Sequence, residues 1–332
     1  MPIHSVTTLG GTASNVKVAK IAHGLMNMTW AAHVTPDATC FETIKAGVDL
    51  LPPGVKMILN SGDFYDNNHG PGNLEMVSRF YEQYPEYVDK TFLLVFYKRQ
   101  NLQKSMQGIH KSLRGTKRLD LYQCARVDPG TPIEDVMKVL RGFVQEGLVD
   151  HIGMSECSAA TLRKANAIQP IAIVEIEVSP WAMEEETKKV LATAQELGIA
   201  VAAYSPLGRG FLTGTIKTID DIPEGDQRRR MTRFLPENFQ HNFVLVDALK
   251  AIAEAKGVTP AALCVAWVAS LGPKVIPLPG SARSPQRHVQ NVLACDIEVT
   301  PKESAEIWEV VNGFEVKGDR YFGDDKAMRV WG

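Results

Sequence analysis

The sequence predicts an α/β chain folded as a single (β/α)8 barrel of the TIM type, and three observations point there. Eight short apolar, β-branched runs alternate with segments of helical periodicity from end to end. Most of these runs are nearly continuous in apolar residues, as parallel strands covered on both faces must be. The GxGxxG fingerprint that a doubly wound sheet carries after its first strand is absent. Gly208-Arg209-Gly210 follows the seventh run and has the wrong spacing to Gly214. A length of 332 residues suits one barrel domain spanning 1–332, with a short N-terminal β-hairpin as a cap and an irregular C-terminal tail.

In chain order the strand candidates are Val18–Leu25, Val55–Leu59, Phe92–Phe96, Leu119–Cys124, Asp150–Met154, Ile171–Val178, Ile199–Tyr204 and Val275–Leu278. Helix start and stop signals fall between them. Thr131-Pro132-Ile133-Glu134 reads as a capping box with proline at the first helical position, and Gly147 supplies the stop. Thr300-Pro301-Lys302-Glu303 repeats that device before Ile307 and Val311. Thr259-Pro260 opens a helix that carries Leu263 and Trp267 and ends before Gly272. Val190, Ala194 and Leu197 form a stripe closed by Gly198. The longest irregular stretch is Pro206–Gln240, with the basic run Arg228–Arg230; a loop of that length in a compact domain is usually functional. Beyond Gly313, Phe314, Tyr321, Phe322 and Trp331 are candidate docking points for the tail.

Composition removes several function classes. Lys plus Arg number 36 against 38 for Asp plus Glu, a net charge of -2, without the basic excess that nucleic acid or an anionic membrane attracts. The five cysteines, Cys40, Cys124, Cys157, Cys264 and Cys295, are scattered and include no CxxC pair. They read as buried free thiols, not as a disulfide framework or a zinc site. The N-terminus lacks a secretory pattern and no apolar run reaches the roughly 18 residues that span a bilayer, so the expectation is a cytoplasmic protein. The metalloprotease HExxH, the P-loop and the EF-hand loop are missing, and the eight histidines show no metal-ligand spacing; no metal is expected.

Five segments, in order, carry a resemblance: Leu119–Pro129, Val149–Ser155, Ala203–Gly214, Arg233–Gln240 and Ile276–Gly280. Together they resemble the successive signatures of the aldo-keto reductases, over nearly the whole chain. Within that family, Leu113–Lys164 is most similar to fungal pyridoxal reductases. The resemblance implies hydride transfer from NADPH to the carbonyl of a small molecule, with no obligate protein partner. A tyrosine hydroxyl then protonates the carbonyl oxygen. A free phenol has a pKa of about 10, so its neighbours must help it release a proton near neutral pH.

The resemblance matches Tyr65, in Asn60-Ser61-Gly62-Asp63-Phe64-Tyr65, to the proton donor. Asn60 stands where the family has an aspartate; it can orient a neighbour but brings no charge. Ala125 stands at the family histidine, and an ungapped reading puts Phe96 at the family lysine, with Lys98 two residues on as the candidate tuner of the phenol. On the cofactor side, Ser155 and Glu156 match the pair that holds the nicotinamide carboxamide. Glu175 matches a glutamine, and Tyr204 matches the ring that stacks on the nicotinamide. Ser205, Leu207 and Gly208 begin the loop expected over the pyrophosphate. Gly280, Ser281, Arg283, Arg287, Gln290 and Asn291 resemble the adenosine phosphate clamp, in which Arg287 on the 2′-phosphate favours NADPH over NADH. Two readings stay open: an NADPH-dependent aldehyde reductase with pyridoxal as the leading substrate, or an NADPH-binding protein with weak or no catalysis that reports redox state.

Overall fold

The computed structural model describes residues 2–97, 101–128, 130–281, 284–324, 328 and 330–332. One nine-stranded sheet runs through it in strict chain order. Strand β1 (Val6–Thr8) pairs antiparallel with β2 (Lys17–Gly24) and forms the expected hairpin. From β2 onward every pairing is parallel, through β3 (Lys56–Gly62), β4 (Thr91–Tyr97), β5 (Leu121–Cys124), β6 (His151–Ser155), β7 (Ile173–Glu177), β8 (Ala200–Tyr204) and β9 (Val275–Leu278). The sheet curls until its edges meet: Gly24 and Gly280 form a parallel bridge, and the Gly24 amide donates to the Pro279 carbonyl at 3.0 Å. The result is the (β/α)8 barrel, and each strand candidate coincides with one of β2 to β9 to within a few residues at its ends.

Helices α1 (Met26–Thr29), α2 (Asp37–Val48), α3 (Gly72–Gln83), α4 (Leu102–Leu113), α5 (Ile133–Gln145), α6 (Ala159–Ile168) and α7 (Glu185–Leu197) fill the first six connections. Helices α8 (Pro236–Lys256) and α9 (Pro260–Ser270) lie between β8 and β9, and α10 (Pro285–Ala294) and α11 (Pro301–Gly313) follow β9. The start signals at Thr259 and Thr300 act as expected. Thr259 accepts from the Ala262 amide at 3.1 Å, and Thr300 and Glu303 form a complete capping box. Gly198 closes α7 in the left-handed region, at φ +68°.

Four expectations need correction. The Thr131 hydroxyl turns back to Asp128 at 3.3 Å and caps nothing, so α5 begins at Ile133 with Pro132 outside it. The stretch expected to be irregular through Gln240 contains four short 3-10 turns, and α8 already starts at Pro236. Phe322 lies exposed instead of docked, and Cys124, unlike the four buried cysteines, is only half-buried.

Alternation along the strands sorts their side chains into two layers. One set points into the barrel: Val18 and Ala22 on β2, Ile58 on β3, Phe92 and Leu94 on β4, Leu121 on β5, Ile173 on β7 and Ile276 on β9. Leu9 and Ala13, from the hairpin, close its lower end. The other set packs outward against the helices. Extending the inward set by one alternation at each strand's carboxyl end delivers Asn60, Phe96, Gln123, Ser155, Glu175 and Tyr204. The upper rim of the barrel core is therefore polar because of strand parity.

Candidate active site

At the centre of the rim stands a buried carboxylate. Glu175 Oε2 accepts from Asn60 Nδ2 at 2.6 Å and from Gln123 Nε2 at 2.9 Å, linking β3, β5 and β7 across the barrel. No cation among the described residues forms an ion pair with it. Burial therefore dominates, with a smaller push from Glu156, and the carboxyl is raised to about 8 despite the two amide donors. Gly153 makes room for Gln123: a Cβ there would lie 2.6 Å from Gln123 Oε1.

Tyr65 follows β3, its ring packed among Trp30, Phe64 and Phe96 at centroid distances of 6.1, 5.1 and 6.0 Å. Its backbone is pinned by the Thr29 hydroxyl, which donates to the Tyr65 carbonyl at 2.6 Å. The phenol lies well above its ordinary range, first because it is buried and then because Glu175 and Tyr321 oppose its negative charge. Arg126 acts the other way. These three neighbours show that Tyr65, Glu175, Tyr321 and Arg126 converge from four parts of the chain. Phe96 does occupy the place beside the phenol where the resemblance asks for a lysine. Lys98 lies outside the described residues. Asp63 instead accepts a hydrogen bond from Ser105 at the start of α4.

Above this layer lies an ionic network absent from the sequence reading. Glu156, held in the left-handed region at φ +48°, sends its carboxylate into the mouth with only 1% exposure. Its Oε1 accepts from the Tyr204 hydroxyl at 2.6 Å, from Arg320 Nη2 at 2.8 Å and from the Glu177 amide at 3.2 Å. Its Oε2 accepts from Arg320 Nη1 at 3.2 Å and faces Arg126 Nη1 at 3.7 Å. Glu177, also buried, takes Arg209 at 2.9 Å and Arg320 at 3.1 Å, and these two arginines with Arg233 hold its carboxyl down to about 2 although burial pulls the other way. With the Tyr204 proton committed to Glu156, Tyr321 donates to Tyr204 across 2.9 Å, and Tyr321 in turn accepts from Arg126 Nη2 at 2.7 Å.

The opposite side of the mouth is simpler. Ser281 and Asn291 are buried and bonded: the Asn291 amide donates to the Ser281 hydroxyl at 3.4 Å, and the same hydroxyl contacts His288 Nδ1 at 3.2 Å. Ser284 caps α10 through the Arg287 amide at 3.2 Å, leaving the Arg287 and Gln290 side chains exposed above Gly280. Arg283 lies outside the described residues. Ser205 at φ +52° and Gly208 at φ +54° turn the chain after β8, with Leu207 packed half-buried between them. A Cβ on Gly208 would meet the Trp181 ring at 2.9 Å.

The structure thus brings Tyr65, Asn60, Glu175, Ser155, Glu156 and Tyr204 to one rim and Gly280, Ser281 and Asn291 to its edge. Gln123, Arg126, Glu177, Arg209, Arg320 and Tyr321 belong to the same rim and were not foreseen in a site. One signal was available: Glu175-Ile176-Glu177 places two carboxylates on the same face of an otherwise apolar strand. Arg320 gave none. Among the described residues no group of His, Cys, Asp and Glu could hold a metal ion.

The comparisons with known proteins agree with this architecture. Residues 20–312 match the aldo/keto reductase family. The chain is 34% identical over 321 residues, 92% of its length and 95% of the relative's, to "Probable pyridoxal reductase 2" of Schizosaccharomyces pombe. It is 36% identical over 259 residues, 77% of its length and 70% of the relative's, to an aldo-keto reductase of the same organism, yakc, whose name specifies NADP(+). Among solved structures, a glycerol dehydrogenase from Gluconobacter oxydans superimposes with a TM-score of 0.77 at 21% identity, covering 95% of this chain and 97% of its own.

Proposed function

The chain belongs to the aldo/keto reductase family, and from that premise we propose that it reduces the aldehyde group of a small molecule with NADPH, pyridoxal being the leading substrate. The observation that carries this reading is that Tyr65, packed beside Phe96 of β4, stands with Asn60, Gln123 and Glu175 at the carboxyl ends of the strands, where barrel enzymes keep their chemistry. NADPH supplies the hydride when bound. Tyr65 supplies the proton to the carbonyl oxygen, and Arg126 is the described cation that favours the phenolate left behind. Asn60 and Gln123 fix the Glu175 carboxyl, which burial keeps protonated near neutral pH, so that the acid nearest the phenol has one position.

The residues fit the two ends of the cofactor unequally. At the adenosine end, the buried Ser281–Asn291 pair beneath the N-terminus of α10 and the exposed Arg287 suit a phosphate. At the nicotinamide end Glu156 already accepts from Arg320, Tyr204 and a backbone amide, so a carboxamide N–H competes with Arg320 for that carboxylate. Among the described residues no single helix is long and apolar enough to cross a membrane; a cytoplasmic setting is part of this proposal and rests on the five unpaired cysteines.

A specific observation favours a second reading, NADPH binding with little turnover. Phe96 sits beside Tyr65 where a lysine would lower the phenol, and burial raises that phenol. Loss of absorbance at 340 nm on mixing NADPH with pyridoxal or a simple aromatic aldehyde, measured beside Tyr65→Phe, separates the two. Turnover that disappears in the variant supports the reductase. Tight NADPH binding without turnover supports the binder and overturns the first reading.

A further inference from the structure

We propose that the tail segment Lys317–Phe322 is a strap that closes the nicotinamide end of the site, so that NADPH and Arg320 compete for Glu156. The inference rests on the NADPH reading above. The segment dips into the barrel mouth for two residues only. Arg320 and Tyr321 are buried, while Lys317, Gly318 and Asp319 before them and Phe322, Gly323 and Asp324 after them are exposed. Those two residues engage two of the side chains that the family resemblance assigns to the nicotinamide end, Glu156 and Tyr204. Arg320 holds Glu156 through its two terminal guanidinium nitrogens and donates to the Tyr204 oxygen at 3.0 Å, and Tyr321 holds the Tyr204 hydroxyl at 2.9 Å.

The strap is built to be seated and to leave as a unit. Its entry is pinned by Asn242 on α8, which accepts from the Lys317 amide and donates to the Lys317 carbonyl, both at 2.9 Å. Glycines in the left-handed region flank the dip, Gly318 at φ +87° and Gly323 at φ +90°. Both positions turn the chain sharply without side-chain strain. Departure of Arg320 leaves neither carboxylate without a cation, because Arg209 stays on Glu177 at 2.9 Å and Arg126 faces Glu156 at 3.7 Å. Departure also frees acceptor positions on Glu156 that a carboxamide N–H can take. The Ser281–Asn291 pair bonds within its own side of the mouth, to each other and to His288, so a dinucleotide can engage its adenosine end first and displace the strap second.

A seated strap reduces the apparent affinity for NADPH by the fraction of molecules in which the mouth is open. The test is an NADPH titration of the full-length protein and of Arg320→Ala by tryptophan fluorescence. It is joined to hydrogen exchange of the wild-type backbone over Lys317–Phe322 with and without saturating NADPH. We expect Arg320→Ala to bind NADPH about tenfold more tightly, and the strap amides of the wild type to exchange faster when NADPH is bound. Should the variant not fold, the exchange measurement on the wild type decides alone. Equal or weaker binding by a folded Arg320→Ala, or strap amides that become better protected with NADPH, overturns the strap and leaves the reductase reading standing. No NADPH binding by either protein overturns both.

Discussion

Two residues exchange their usual chemistry across this barrel. The resemblance asks for a carboxylate at position 60 and an amide at position 175, and the chain has Asn60 and Glu175, bonded at 2.6 Å. In this bond the Asn60 amide donates and the Glu175 carboxyl accepts. Asn60→Asp therefore sets a second carboxylate against a buried one, and two such groups at contact distance cannot both ionise. We expect Asn60→Asp alone to lower stability at pH 8 by about 2–4 kcal/mol, and addition of Glu175→Gln to restore most of it, because the introduced side-chain amide can donate to the new carboxylate. Urea unfolding of the two single variants and the double variant measures the coupling; additive losses would show that the two side chains do not share one bond. Tyr65, Asn60, Glu175 and Tyr204 were legible as site candidates through the family resemblance, which matches each to a position on or just after a strand end that apolar periodicity marks. Arg126, Arg320 and Tyr321 were not legible as part of the site. Their partners are up to 195 residues away in sequence, and a local pattern carries nothing about contacts that a tail makes after the barrel has closed.

Among the elements, strands were easier to read than helix starts. Strands β2 to β9 are covered on both faces, so burial writes a continuous apolar run that survives any local detail. A cap depends on one hydroxyl, and that of Thr131 is diverted by Asp128, which no helix-start pattern anticipates. The seam between β2, α2 and α10 yields a second prediction. His23 on β2 stacks on His288 of α10 with centroids 3.7 Å apart, both fully buried, and Gly47 of α2 backs the stack. A Cβ at position 47 would sit 2.1 Å from His288 Nε2. Gly47→Ala must push the ring, and with it α10 and the Ser281 contact, out of place. An overpacked core of this kind costs about 1–3 kcal/mol, and the displacement should weaken NADPH binding as well. Thermal unfolding and an NADPH titration of Gly47→Ala check both effects; wild-type stability and affinity together would show that the seam yields freely.

For the whole molecule, these buried groups set a stability profile whose shape follows from signs alone. His288 is lowered to about 3 and His23 well below 6.5, both chiefly by burial. Below pH 6.5 the unfolded chain therefore takes up protons that the native state refuses, and stability falls with pH by about 1.4 kcal/mol per unit for each histidine. Glu177, held down to about 2, adds to that loss below 4.5. Glu175 works in the opposite direction: raised from 4.5 to about 8, it keeps its proton in the native state after the unfolded chain has released its own. Its contribution declines as pH climbs from 4.5 through 8. Between 4.5 and 6.5 the two histidines outweigh the one carboxyl, and above 6.5 the carboxyl acts alone, so stability should peak near pH 6.5 and decline toward pH 8. The apparent melting temperature measured from pH 5 to 9 tests this. In Glu175→Gln the decline above 6.5 should flatten while the acid limb stays. A wild-type profile that keeps rising through pH 8 would mean that Glu175 is ionised in the native barrel, with an unassigned cation beside it.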